Sequence, residues 1–531
     1  MEIHSLTLDN YKQFKVFNGI FGERDNDISK VSLKFLVGNN GSGKTTVMQA
    51  IGLIFTRAMN DESPGFRYEI IYSIVRGAKT TYILLTNDSS KYRFKGRLHI
   101  RISNDSLASV KKGRVIKERF SERDDLHPRR IVSFASGPNN SLEGVLVDSP
   151  LNAINSDIYD ELHKKEVNSS NLNYLRQLRG KLLYEPSSLN FDSSNAILIL
   201  VALLLSNPEN SHEVENYISK KNELLLMVKN ITPYFISLEI DEESFRKLQN
   251  SNEDKKRYER LFLELVNHSE GSSKVKIVFR KDRTAPLAVR VITFSVEQLL
   301  SNNPTEFLTM LMFAWREDYL YTTNIFLKHN DTDNLLDHTS LSDGEYLWLC
   351  RMALIILSQQ EHDENTLFLF DEPDVFLNEN WTMQFISKLH EFIKSTKKNE
   401  KKERYNRQEY WIATHSTLIL TDAFPDQTYM IESFMESDDF SKGAFEALPL
   451  STSTFAADRS EVSMQLFMDQ RIGEYSMQYI NNKLDRDQTI SVEALEKIVD
   501  KIGPGYQRYR MLEYLHQFRN PSRGSSNRME N

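Results

Sequence analysis

Residues 34–49 constrain this chain more than any other stretch. Lys34, Phe35, Leu36 and Val37 form a short, mostly apolar run that ends in Gly38, Asn39, Asn40, Gly41, Ser42, Gly43, Lys44 and Thr45. Thr46, Val47, Met48, Gln49, Ala50 and Ile51 then read as a helix. The order is strand, glycine-rich loop, helix, and the loop fits G-x-x-x-x-G-K-[ST]. In such a loop the backbone N–H groups, aimed by the helix dipole, surround a β-phosphate while the lysine reaches the β and γ oxygens. Thr45 is expected to hold Mg²⁺ through its hydroxyl. Gly38, Gly41 and Gly43 let the backbone approach a phosphate without intervening Cβ atoms.

The bulk properties set the frame around that loop. A length of 531 residues suggests two to four compact units, and 40% hydrophobic with 26% charged residues is ordinary for a globular protein with a sizeable core. Cys350 is the only cysteine, which excludes an internal disulfide or a cysteine metal site and fits the reducing cytoplasm. The first residues show no basic segment followed by an apolar one, so no secretory signal is expected. The longest apolar run, residues 196–205, is about half of what a bilayer requires, and it reads as a buried helix with no membrane partner. Net charge is −8, which argues against uniform nucleic-acid binding, but the charge is uneven. Between Lys91 and Arg119, ten Lys or Arg face only Asp105 and Glu118, a local +8. That stretch is either a solvated sheet face or a surface for phosphate backbones. Aromatic interleaving is thin (Tyr92, Phe94, Phe120), so base stacking is not indicated.

Along the chain, residues 2–37 alternate apolar runs with turn-like segments at residues 9–10 and 22–27, the pattern of a small sheet leading into the loop. Residues 81–85 and 93–102 continue it, and residues 131–137 read as a buried strand ending at Gly137. From 151 to about 320 the character becomes mainly helical, with strand candidates at 235–240, 274–279 and 289–294. No heptad pattern persists there, so a long coiled coil is not expected.

Chemistry returns at Leu341, Ser342, Asp343, Gly344 and Glu345, which open a helix with Leu349, Met352, Ile355 and Ile356 on one face. Ser342 and Glu345 are also spaced as a capping box, a role compatible with a functional one. Residues 366–370 form an uninterrupted apolar strand ending in Asp371 and Glu372. A buried parallel strand delivers acids to a phosphate site in this way: Asp371 to hold Mg²⁺, Glu372 to orient and deprotonate the attacking water. Residues 397–407 alternate charge sign and read as a solvated loop. The strand at 410–414 then ends in His415, which parallel-sheet logic sets at the same edge as a contact for a γ-phosphate. Beyond Glu432, helices are expected near 461–468, 475–483 and 492–502, with a polar tail from 519. Asp458 and Glu461 read as a further cap, and Asp485 and Asp487 as a solvated turn.

The loop at 38–45, Leu341 to Glu345, Leu367 to Glu372, Phe376 to Asn378 and His415 together resemble the P-loop, signature, Walker B, D-loop and switch histidine of an ABC-type head of the SMC-like class. Asp343 and Glu345 stand where that signature more usually has glycine and glutamine, and Asn378 where the D-loop usually has aspartate. No Q-loop glutamine is assigned. The resemblance implies an α/β fold, ATP and Mg²⁺ as cofactors, and a homodimer in which Ser342 and Gly344 of one copy cap the ATP of the other. More narrowly, residues 130–137, Phe191 to Asn195, 341–346, 454–458 and 473–475 are similar to the ATPase subunit of Septu-type anti-phage systems, some attached to retrons. That likeness implies a small HNH-type nuclease as partner, retron RNA-DNA as a possible ligand at residues 91–119, and nucleotide state as the control.

The expected site is therefore Glu372 and His415 for catalysis, Thr45 and Asp371 for the metal, and Asn39, Asn40, Gly41, Ser42, Gly43, Lys44, Thr45, Thr46, Ser342 and Gly344 for the nucleotide. The expected domains are an N-terminal ATPase lobe (1–150), a mainly helical insertion (151–325), a C-terminal ATPase lobe (326–435) and a helical docking region with tail (436–531). Three alternatives remain open: an OLD-type ATPase-nuclease with a Toprim domain after His415, a DNA-tethering repair ATPase, and a transporter engine.

Overall fold

The computed structural model describes residues 1–22, 31–76, 79–94, 96–137, 141–164, 168–184, 188–209, 211–227, 231–251, 255–269, 274–278, 286–359, 365–393, 408–433, 443–451, 453–467, 478, 480–481, 492–502 and 506–519. The expected loops at 22–27 and 397–407, the turn at 485–487, the segment 473–475 and the tail lie wholly or largely outside these residues. The chain divides into two compact units, Met1–Ala457 and Asp458–Asn531.

The first unit is an α/β body on a 13-stranded mixed sheet. Its centre is parallel: Ser188–Phe191, Ile131–Ala135, Leu367–Asp371, Glu409–Ala413, Ser32–Val37 and Thr428–Ser433 lie side by side in that order. These runs are buried along their length (SLKFLV, LFLFD, EYWIA, IVSFA), as strands covered on both faces must be. The N-terminal lobe is antiparallel and extends the same sheet, with Glu2–Tyr11 paired to both Phe14–Ile20 and Arg67–Arg76. Here polar and apolar residues alternate, for example along Phe14–Ile20, because one face meets water.

Lys34 belongs to the loop-bearing strand yet is buried. Its ammonium lies 3.5 Å from Glu409 Oε1 and donates to the Ile3 carbonyl, while the Ile3 N–H donates to both Glu409 oxygens at 3.0 and 3.1 Å. A buried charge pair of this kind survives only with its remaining hydrogen-bonding capacity met, and here the N-terminal strand meets it.

His4 on the same N-terminal strand gives a pH prediction. It is 3% exposed and its Nε2 lies 2.9 Å from Ser73 Oγ. Burial first, then Lys34 and the N-terminal ammonium, hold its pKa down at about 3. A depressed folded pKa means the neutral ring's contribution is fully present above the unfolded value and is lost as pH falls toward the folded one. Acidification from pH 7 to pH 5 should cost about 2 kcal/mol through this group. Denaturant midpoints for His4→Gln should therefore fall less steeply over that interval than those of the unaltered chain. Parallel slopes would contradict the assignment.

Several expectations shift. The segment at 151–325 is mainly helical, with Ser169–Tyr184, Ile197–Leu205, Ser211–Leu226, Glu242–Asn250, Arg257–Asn267 and Pro304–Arg316, but it also carries most of a five-stranded antiparallel sheet of Lys274–Val278, Leu287–Ser295, Ile231–Asp241, Leu320–His329 and Leu335–Asp337, in that spatial order. The three strand candidates fall on its members, but Leu320–His329 and Leu335–Asp337 carry the insertion past 325. Ser188–Phe191 instead returns to the edge of the large sheet. The lobe expected to end at 435 continues to Ala457, because Gly443–Pro449 pairs with both Thr428–Ser433 and Phe14–Ile20 and joins the two halves of the sheet. The strand expected at 93–102 begins only at His99, on which Tyr92 and Phe94 stack at 5.3 and 5.1 Å. The apolar run at 196–205 is the buried helix Ile197–Leu205, and among the described residues no helix is long and apolar enough to cross a membrane.

The second unit contains helices Arg459–Phe467, Val492–Val499 and Tyr506–Arg519. Ile480, Leu495, Val499, Met511 and Leu515 form a small core within it.

Candidate functional site

Strand register gathers the chemistry. Leu36 pairs with Ala413, Ala413 with Asp371, and Asp371 with Ala135. The four strands therefore end level at one carboxyl edge, where open α/β sheets bind ligands. The glycine-rich loop, His415, Glu372 and Ser136 all emerge from that edge.

The loop closes on helix Lys44–Ala58, whose N-cap Gly43 has φ 100° and no side-chain cap. A Cβ on Gly43 would lie 2.4 Å from Phe14 Cζ, in a conformation that L side chains rarely adopt, so glycine is required twice over. The first turn carries no acid, which leaves its N–H groups to an anion. Ser42 Oγ is buried with no hydrogen-bond partner among the described residues, a hydroxyl suited to a phosphate oxygen.

Lys44 Nζ lies 2.9 Å from the Gly38 carbonyl, 3.4 Å from that of Asn39 and 2.7 Å from His415 Nε2. An ammonium only donates, so His415 Nε2 accepts and the ring is neutral with its proton on Nδ1. Burial and the Lys44 charge both lower the His415 pKa in agreement, with Asp374 opposing. The 3.5 Å approach of His415 Nε2 to Glu372 Oε1 is accordingly a contact rather than an ion pair. Burial pulls Lys44 itself to about 8, against the opposing pull of Glu372 and Asp371.

Thr45 Oγ1 donates to both Asp371 oxygens at 3.0 Å, and Ser141 Oγ donates to Asp371 Oδ2 at 3.0 Å. A carboxylate with two hydroxyls at hydrogen-bond distance from it forms the all-oxygen donor set that suits Mg²⁺, which takes few protein ligands beside phosphates and water. Burial raises the Asp371 pKa, and the Thr45 and Ser141 hydroxyls counter it. Thr46 Oγ1 donates to Gln13 Oε1 at 3.2 Å. Glu372 has φ 49°, and its N–H donates to the Ala413 carbonyl at 2.8 Å. A non-glycine residue in the left-handed region is a cost that tends to be kept where a side chain must point one way.

The single chain thus brings Lys44, Thr45, Asp371, Glu372 and His415 together. Ser342 and Gly344 are engaged elsewhere. Ser342 caps its helix: its N–H and Oγ donate to Glu345 Oε2 at 2.9 and 2.8 Å, and its Oγ accepts from the Glu345 N–H at 3.3 Å. Gly344 is pressed against the neighbouring turn, where a Cβ would meet the Phe376 carbonyl oxygen at 2.4 Å. Asn378 is also a cap, accepting from the Trp381 N–H at 2.9 Å.

Two features escaped the sequence. Ser141 lies beyond the strand Ile131–Ala135 at a distance no motif marks. The hairpin turn at Lys12 and Gln13 reaches the P-loop helix through Thr46 and Gln49, a contact between residues more than thirty positions apart.

A glycine-rich loop, a strand-end acid pair and a strand-end histidine at one edge of a parallel sheet define a P-loop nucleoside-triphosphatase. Residues 33–421 match the family described as "AAA domain, putative AbiEii toxin, Type IV TA system", and the chain belongs to that family. Among solved structures, it is similar to the Smc head domain with an extended coiled coil bound to the C-terminal domain of ScpA from Pyrococcus furiosus. The identity there is 13%, over 88% of this chain and 98% of that one, with a TM-score of 0.31. It is also similar to the recombination mediator protein RecF in the RecFOR pathway, 14% identical over 84% of this chain and 98% of that one, TM-score 0.28. Neither likeness adds to what the strand order already shows. No curated protein matches the sequence.

Proposed function

We propose that this chain is a regulatory, magnesium-dependent ATPase whose output is a conformational state, and that it governs a separate HNH-type nuclease in a cytoplasmic anti-phage complex. The observation that carries the ATPase reading is the meeting of Lys44, Thr45, Asp371, Glu372 and His415 at one sheet edge. The family description, with its toxin system, supports a role in defence.

In this reading Asn39, Asn40, Gly41, Ser42, Gly43 and Thr46 wrap the β-phosphate, and Lys44 spans the β and γ oxygens. Thr45 and Asp371 hold Mg²⁺, which neutralises phosphate charge, and Ser141 steadies Asp371. Glu372 accepts a proton from the attacking water as its oxygen bonds to the γ-phosphorus and the bond to ADP breaks. His415 contacts the departing phosphoryl group. Ser342 and Gly344 of a second copy cap the triphosphate, so Ser342 must exchange its Glu345 hydrogen bond for the incoming phosphate. Exposed Arg93, Arg97, Lys112, Arg114, Lys117 and Arg119 offer a surface for nucleic acid, retron RNA-DNA included.

The test is purification from the native operon, then ATP turnover with and without EDTA and identification of the co-eluting components. The expected result is EDTA-sensitive turnover and a small nuclease subunit. Manganese-dependent DNA cutting by the chain alone would overturn the division of labour in favour of an ATPase-nuclease.

A further inference from the structure

Arg351 sits midway along helix Asp343–Ser358, the helix that Ser342 caps, and is wholly buried. A guanidinium in that position needs a reason. Its Nη2 donates to Ser136 Oγ at 2.7 Å and to the Val375 carbonyl at 3.4 Å, and its face lies 5.3 Å from the Phe134 ring. Its Nε and Nη1 have no partner among the described residues, so the side chain is far from its hydrogen-bonding optimum. Packing alone would favour an apolar residue there.

The groups Arg351 touches lead to the catalytic edge. Ser136 ends the strand beside Asp371, and its N–H donates to the Asp371 carbonyl at 3.2 Å. Val375 lies in the tight turn after Glu372, closed by its own N–H to the Glu372 carbonyl at 3.1 Å. Asp374 in that turn accepts from Thr414 Oγ1 at 2.7 Å, and the same Thr414 oxygen accepts from the Ser416 N–H at 2.9 Å. Thr414 is itself fully buried and immediately precedes His415. Burial raises the Asp374 pKa, while Thr414 and the Arg351 charge favour its ionised form. Contacts thus run from the middle of the capped helix to the turn that sets Glu372, and from Asp374 in that turn to Thr414 and the Ser416 N–H, the residues on either side of His415.

We propose that Arg351 and Asp374 are positioning residues. Through Ser136, Val375 and Thr414 they tie the helix headed by Ser342 to Glu372 and His415, so that a triphosphate docking on Ser342 from a second copy registers at this copy's own water-activating groups. The inference rests on the ATPase reading above. The strut acts by geometry: a small shift of the helix moves the Val375 carbonyl, and with it the turn that holds Glu372 in its strained conformation. Neither residue is itself aimed at the nucleotide.

The experiment avoids Arg351, whose truncation would leave a cavity in the wholly buried middle of its helix and endanger the fold. It compares Asp374→Asn, Thr414→Val, Thr414→Ser and, in parallel, Glu372→Gln, measuring kcat, KM for MgATP, equilibrium ATP affinity and thermal midpoint. Asp374→Asn still accepts the Thr414 hydrogen bond but loses the charge facing Arg351, and Thr414→Val keeps shape but loses the hydroxyl. Each should lower kcat about ten-fold or more while KM and ATP affinity move less than about two-fold. Thr414→Ser, which retains the hydroxyl, should recover most of the turnover. Undiminished kcat in Asp374→Asn and Thr414→Val would overturn the strut, as would losses that track thermal midpoint and ATP affinity in proportion. Unchanged turnover in Glu372→Gln would instead bring down the ATPase reading itself, so the two failures are told apart.

Discussion

Lys44→Ala should weaken nucleotide binding about a hundred-fold or more while leaving the fold intact. The Lys44 ammonium is the one cation that the loop itself supplies to the phosphates, and its present partners are the Gly38 and Asn39 carbonyls and the His415 ring. A triphosphate offers it oxygens bearing full charge in place of carbonyl dipoles, and charge-assisted hydrogen bonds are about twice as strong as neutral ones. Losing two such bonds costs about 3 kcal/mol or more, a fall in affinity on the order of a hundred-fold. Stability should not suffer in step. Burial already depresses the Lys44 pKa to about 8, so the charged side chain is held at a cost that alanine removes. Equilibrium titration with a fluorescent ATP analogue, alongside a thermal melt, checks both halves. Normal affinity would move the nucleotide to another part of the molecule.

That the residues of the candidate site's cis half would meet at one sheet edge is legible in the sequence because each of its parts is local. A glycine-rich loop between a strand and a helix, two acids at the end of an apolar strand and a histidine at the end of another are each written in a few consecutive residues. The parallel sheet then sets their ends level, as Leu36, Ala413 and Asp371 show by pairing in one row. The residues that escaped are those whose role depends on distant chain. Ser141 reaches Asp371 across 230 positions, and Arg351 reaches Ser136 across 215. No pattern at their own positions announces either contact.

The fold was legible in the same uneven way. Buried parallel strands were found because their apolar runs are unbroken. The insertion is mainly helical as its pattern indicates, but its sheet is only partly legible, because strands such as Leu320–His329 and Leu335–Asp337 are half exposed and carry no unbroken apolar run. Gly443–Pro449 was assigned to a helical region for want of any strand signal beyond Ala444, Phe445 and Ala447. Its place is fixed by partners on both sides, which lie some four hundred positions apart in the chain.

Glu372→Gln should retain ATP binding and lose turnover, with kcat down by about 10²- to 10⁴-fold, the range a general base contributes. The substitution preserves size, and the backbone at φ 49° is held by its hydrogen bond to Ala413, so the side chain should keep its direction. The loss is of an acceptor for the water's proton. Binding should hold or tighten, because Glu372 is a negative group beside Lys44 and its removal lessens repulsion toward an incoming γ-phosphate. ATP would then persist between two copies, each finishing the other's pocket through Ser342. Size-exclusion profiles with ATP should shift toward dimer for Glu372→Gln and not for Lys44→Ala. If Glu372→Gln turned over ATP at the normal rate, the base would have to be another group. If it bound ATP but stayed monomeric at every concentration tested, Ser342 and Gly344 would be left as a helix cap and a packing glycine.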